Sequence, residues 1–257
     1  MTSTAEIVDY LDELLETATT PDFPHAINGL QLANTGTVRK IAACVDLSTR
    51  SATAAVEAGA QLLLVHHGMF WSGLRPLTGA VYHRTKLLIE HDVAVYSSHL
   101  PLDKHPEFGN NVLLARHLGL TPTKDFAKFK TISIGARGVS DILTADIVDR
   151  ARTFARENGG DVVSTSIPPE RQTLHWAICT GSGASADTLL EASALGVDTL
   201  IVGEGPHWTA IEGDESGIAI IYAGHYATET LGVFALARHV ADRFQLEWTP
   251  IHAPTGL

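Results

Sequence analysis

Residues 58–71 (Ala-Gly-Ala-Gln-Leu-Leu-Leu-Val-His-His-Gly-Met-Phe-Trp) align without a gap with residues 195–208 (Leu-Gly-Val-Asp-Thr-Leu-Ile-Val-Gly-Glu-Gly-Pro-His-Trp), 137 positions further on. Three more matches keep the same order: Ile41–Cys44 with Trp176–Cys179, Tyr96–Asp103 with Tyr222–Glu229, and an Ala-Arg-His triplet at 115–117 and again at 237–239. Chance pairing of Ala, Gly and Leu would give one such match but hardly four in register, so an internal duplication constrains the fold most. It predicts two similar halves, about 1–125 and 170–257, joined by a variable segment 126–169. No stretch is long or biased enough to link independent units, so one domain over 1–257 is expected.

Local patterns say what each half is made of. Ser3-x-x-Glu6 can close a capping box, and Ile7, Tyr10, Leu11, Leu14 and Leu15 recur on one helical face, predicting a helix over 4–17. Strands follow at Val38–Val45, Leu62–Val65 and Val93–Tyr96, with helices over Ser51–Ala58, Val81–His91 and Asn110–Leu118 between and after them. Leu62–Val65 is apolar throughout, as a strand covered on both faces must be. Further on, Ile132–Ile134 reads as a strand and Thr144–Arg156 as an amphipathic helix. This alternation is that of an α/β fold, expected here with duplicated halves and mixed sheets around one shared cleft.

Composition narrows the function classes. With 18 Lys and Arg against 29 Asp and Glu, the formal charge is −11, which argues against a general nucleic-acid-binding surface. The start, Met1-Thr-Ser-Thr-Ala-Glu-Ile-Val, has no basic region ahead of an apolar core, and the longest apolar runs are too short to span a bilayer. A cytoplasmic protein without membrane partners is expected. Cys44 and Cys179 each lie inside an apolar run and read as buried, reduced core residues.

Side chains suited to metal binding gather where strands end. His66 and His67 directly follow Leu62–Val65, and α/β folds collect ligands at the carboxyl ends of strands. His99-x-x-x-Asp103 follows the next strand, with Pro101 favouring a turn over a helix between them. The repeat counterpart, His225-x-x-x-Glu229, follows Ile218–Tyr222, with a helix starting near Ala227. Glu204 and His207 lie close by in the second half. A structural zinc needs only four ligands and normally several cysteines, so this surplus points to two divalent ions. A single ion with a histidine general base is the restrained alternative. Mixed imidazole and carboxylate ligation suits Zn, Fe, Mn, Co or Ni.

The segments Asn28-Gly-Leu-Gln31, Val45-Asp-Leu-Ser48, Val65–Trp71, His99-Leu-Pro-Leu-Asp103 through Asn111 and Ala223-Gly-His-Tyr-Ala-Thr-Glu229 together resemble the Nif-three-like (Nif3-like) family of dinuclear-metal hexameric proteins. Its members are known as GTP cyclohydrolase I type 2 homologues. The resemblance implies that His66, His67, Asp103, His225 and Glu229 are the metal ligands. It leaves His99 to support them or to transfer a proton, with Glu204 and His207 as further candidates. It also implies a Nif-three-like fold of duplicated α/β halves and a homohexamer built as a trimer of dimers. Around Gly203-Glu-Gly-Pro-His-Trp208 the chain departs from the family's usual pattern, which bears on the substrate side of the site.

Three functional expectations result: a metal-dependent hydrolase of GTP cyclohydrolase type, a metal-dependent phosphoesterase, or a non-enzymatic scaffold or regulatory protein with structural or sensory metals. A nucleotide or phosphoester is the expected substrate of an enzyme. Gly181-Ser-Gly183 lacks the lysine and spacing of a phosphate-binding loop and reads as a connecting turn. Trp71 and Trp208, at equivalent repeat positions, are candidate walls for a substrate.

Overall fold

A computed structural model describes residues 2–257. In chain order the elements are β1 (Thr2–Ser3), α1 (Thr4–Leu14), β2 (Gly29–Leu32), β3 (Thr37–Val38), β4 (Lys40–Asp46), α2 (Thr49–Glu57), β5 (Leu62–His67) and α3 (Gly79–Glu90). Next come β6 (Ala94–Ser97), α4 (Leu100–Asp103), α5 (Asn110–His117), β7 (Lys124–Phe129), β8 (Ile132–Leu143), α6 (Thr144–Glu157) and β9 (Val163–Ser164). The last are β10 (Gln172–Cys179), α7 (Ala186–Ala194), β11 (Thr199–Val202), α8 (Trp208–Glu215), β12 (Ala219–Tyr222), α9 (His225–Phe244) and β13 (Glu247–Pro250). No helix among the described residues is long and apolar enough to cross a membrane.

The chain divides into two compact units, residues 1–108 with 232–253, and 109–231 with 254–257. In the first, a five-stranded sheet has the order β13-β4-β5-β6-β2, parallel except for the antiparallel edge strand β2. All six residues of the central strand β5 are buried. Pro250 is tolerated in β13 because that strand lies at the sheet edge. In the second unit, six strands run β7-β8-β10-β11-β12-β9; β10, β11 and β12 are parallel and the others antiparallel.

The duplication is visible in matching detail. The parallel trio β4-β5-β6 corresponds to β10-β11-β12, each in sequential order. Helix α2 is capped by Ser48, whose side chain accepts the Ser51 N–H, and α7 by Ser185, which accepts the Thr188 N–H. Gly59 (φ 71°) and Gly196 (φ 68°) end the two helices in the same left-handed conformation. Both sheets are mixed, as expected.

Residues 124–143 form the β7–β8 hairpin on one side of the second sheet, and β9 pairs with β12 on the other. Helix α6 covers that sheet with Ile147, Val148, Ala151 and Phe154. The expected helix over 4–17 ends at Leu14, and Ile132–Ile134 is only the start of the 12-residue β8. Both cysteines are free and buried.

Candidate metal centre

His66 and His67 are the last two residues of β5, and His67 pairs with Asp46 on β4. Neighbouring residues on a strand ordinarily point to opposite faces. Here the two rings approach to 4.8 Å between centroids, with the His99 ring 4.9 Å from that of His66. Each of the three contributes a potential ligand nitrogen, and these nitrogens lie within 4.8 Å of one another.

The residues behind the rings decide which nitrogen can bind. His66 Nδ1 is 2.9 Å from the Ser98 carbonyl oxygen, which only accepts, so the proton of the neutral ring sits on Nδ1 and Nε2 carries the lone pair. His67 Nδ1 donates to Asp46 Oδ1 at 2.8 Å, and His99 Nδ1 to Asp22 Oδ1 at 2.8 Å. Asp22 is fixed in turn by the N–H groups of Phe23 and Leu100 and by the Asn28 amide. Burial works against its charge, but the bonds from His99, Asn28 and Phe23 hold its carboxyl below the usual range.

Asp103 belongs to α4, a single helical turn where a non-helical turn was expected. Pro101 sits in its first positions, where a missing N–H costs nothing. That turn brings Asp103 Oδ2 to 3.6 Å from His66 Nε2. A lone-pair nitrogen and a carboxylate oxygen that face each other favour a positive charge beside them, either a proton or a cation. Gln31 fastens the chain just beyond the histidines: its Oε1 accepts the Met69 N–H at 2.6 Å. A Cβ on Gly68 would lie 2.2 Å from that same oxygen, so any larger residue there would displace the Gln31 amide.

In the second unit His225 opens α9, one turn before Glu229, so the helix starts two residues earlier than expected. His225 Nε2 is 3.2 Å from Glu229 Oε2, while Nδ1 bonds Glu204 Oε1 at 2.6 Å. Burial opposes charge on this imidazole, but Glu229 and Glu204 outweigh it and push its pKa up to about 10. Ser182 Oγ donates to Glu204 at 3.0 Å. Gly181 backs the pair with φ 62°; a Cβ there would lie 2.1 Å from Glu229 Oε1.

All four imidazoles therefore have Nδ1 held by an oxygen acceptor. Metal-binding histidines are oriented in this way, because the bond fixes the tautomer and raises the basicity of the other nitrogen. The donor set fits divalent transition ions, and the chain carries two groupings able to coordinate them. One is His66, His67 and His99, and the other includes His225 and Glu229.

Of the remaining candidates, Trp71 stacks on His67 at 4.2 Å and leans against His99 at 4.4 Å, so it walls the first group. Trp208 begins α8 and is exposed, which separates the roles of the repeat-related tryptophans. His207 lines a cavity with Glu204. Sequence reasoning missed Asp22, and nothing in its local context marks it: it sits 77 residues from its partner His99. Asp46, Asn28 and Gln31 were noticed only as parts of motifs.

Comparison with known proteins agrees with this geometry. Residues 2–255 match the model of the Duf34/NIF3 (NGG1p interacting factor 3) family. A protein of Deinococcus radiodurans described as GTP cyclohydrolase 1 type 2 homolog is 39% identical over 254 residues, covering 98% of this chain and 94% of its own. One of Pyrococcus abyssi with the same description is 35% identical, with 98% of each chain covered. Among solved structures, protein ybgI, of unknown function, superposes with a TM-score of 0.88 at 32% identity over 100% of both chains. TTHA1606 from Thermus thermophilus superposes with a TM-score of 0.83 at 34% identity, covering 99% of this chain and 100% of that one. With nearly its whole length matched by the family model, the chain belongs to the Duf34/NIF3 family.

Proposed function

We propose that this chain is a dinuclear metal-binding protein that acts as a metal-dependent hydrolase. The observation that carries the reading is the anchoring of four buried or half-buried imidazoles through Nδ1. His66, His67, Asp103, His225 and Glu229 would hold the ions. Bound divalent ions supply Lewis acidity and water activation, the chemistry required both by ring opening of a GTP-type substrate and by phosphoester hydrolysis.

The other residues have work that does not depend on the ions' positions. Asp22 holds the proton on His99 Nδ1 and so presents Nε2 as a base, the arrangement of a carboxylate-oriented general base. Glu204 orients His225. Beside Glu204 opens a cavity of about 270 Å³, walled by Val163, Pro206, His207, Ala210 and Tyr222, large enough to admit part of a small substrate and largely apolar in its side chains.

The test is to purify the protein without chelator, measure metal per chain, and assay nucleotides and phosphodiesters with and without the metal. Close to two ions per chain and metal-dependent turnover are expected. Fewer than one ion per chain under replete conditions overturns the dinuclear reading. Full occupancy without turnover across the panel selects the scaffold instead. The family resemblance further supports a homohexamer, a trimer of dimers: six chains of 27.5 kDa should give about 165 kDa by light scattering.

A further inference from the structure

The second sheet carries a further cavity at the end away from Glu229. A cavity of about 250 Å³ is lined by Thr123, Lys124, Arg137, His175, Leu195 and Val197, among others. Its place follows from strand direction. His175 lies in the first half of β10 and Val197 just precedes β11, whereas Gly181 and Glu204 follow the carboxyl ends of those strands.

Sheet register puts the basic side chains on one face. Lys124 of β7 is directly opposite Arg137 of β8. Arg137 pairs with Ala177 of β10, and Val139 with His175, so Arg137 and His175 share the face on which Ala177 meets Val197. Like charges directly opposite each other destabilise a sheet unless something offsets them. Among the described residues none of the three has an ion-pair partner.

The nearby acids are committed elsewhere. Asp198 Oδ2 accepts the N–H groups of Leu174 and His175, and its Oδ1 accepts from Thr199. Glu191 accepts the Lys128 N–H. Asp125 pairs with Ala136 and belongs to the opposite face. Arg137 Nε donates to the Asp125 carbonyl at 3.2 Å, which steadies the guanidinium and keeps both Nη groups for a ligand.

On a chain of net charge −11, such a concentration of basic groups is a local device and not a general attraction for anions. Guanidinium and ammonium groups together suit a phosphate-type oxyanion, and the Leu195–Val197 wall suits a small apolar substituent. We propose that this cavity binds a small phosphate-type ligand, held by Lys124, Arg137 and His175 at the amino ends of β10 and β11, opposite the end of these strands that leads to Gly181 and Glu204. The ligand is free orthophosphate or the phosphate group of a small ester.

Calorimetric titration of the metal-loaded full chain with orthophosphate and with phenyl phosphate, at ionic strength fixed with sodium chloride, tests the site. The reference is the double variant Lys124→Met/Arg137→Met. Phosphate bound by the metals is common to both proteins, so the difference isolates the cavity. Loss of one phosphate equivalent per chain, or at least tenfold weaker binding, is expected in the double variant. Tighter binding of phenyl phosphate than orthophosphate in the wild type assigns the ester as ligand, and equal affinity assigns free phosphate. Superimposable isotherms for wild type and variant overturn the proposal. Should the double variant fail to fold by circular dichroism, Lys124→Glu, a charge reversal at an exposed position, gives the same reading.

Discussion

Asp22 Oδ1 accepts a hydrogen bond from His99 Nδ1 at 2.8 Å across 77 residues of sequence. The same carboxylate ties down Leu100 N and Asn28 Nδ2, so one side chain sets both the imidazole and the loop that carries it. Asp22→Ala should therefore act twice. Losing the partner of His99 should reduce metal affinity or metal-dependent turnover roughly 10- to 100-fold. Leaving the N–H groups of Phe23 and Leu100 without their acceptor should cost about 1–3 kcal/mol of stability. Chelator competition, turnover assays and denaturant unfolding measure these effects; unchanged metal affinity together with unchanged turnover would remove Asp22 from the site.

Glu229→Gln keeps the shape of the side chain and removes its charge. Binding of divalent ions should weaken, because an anionic ligand is lost. If titration with a fluorescent chelator gives the wild-type affinity, Glu229 is not a ligand.

Gly181→Ala places a methyl group where Glu229 Oε1 now lies and forces alanine to φ 62°. Left-handed backbone costs a non-glycine residue about 1–2 kcal/mol. Displacement of the carboxylate should lower metal affinity as well, so Tm and affinity are expected to fall together. A fall in Tm alone would mean that Glu229 tolerates the shift.

Cys44 should resist alkylation in the folded protein. Burial pushes its thiol pKa up to about 12, against a small opposing effect of the Ser51 contact. The thiolate is the reactive form and predominates only above that pKa, so near neutral pH the thiol stays protonated even before access is considered. Iodoacetamide followed by mass spectrometry should label Cys44 only after denaturation; rapid labelling of native protein would contradict its burial.

Much of the fold was legible because duplication copies local signals. The Ser48 and Ser185 caps and the Gly59 and Gly196 stops sit at matching repeat positions, and the apolar strand Leu62–Val65 announces its own burial. The β7–β8 hairpin was far less legible: Gly135 and Gly138 break the period of β8, and both strands draw their stability from pairing with distant partners. The site divides along the same line. Histidines at strand ends could be read directly, whereas Asp22 and Gly181 matter only through contacts made by folding. Pro101 misled because the first turn of a helix is the one place where proline does no harm.

His66 and His67 lie in the innermost strand of a five-stranded sheet, paired on both sides and buried along its whole length. Small zinc modules assemble around their ion, and chelation unravels them. Here the scaffold has its own hydrophobic core, so the imidazoles are already in place when an ion arrives and no chain ordering has to accompany its capture. Removal of the ion should in the same way leave a folded apoprotein, one that can exchange one metal for another according to supply without passing through an unfolded state.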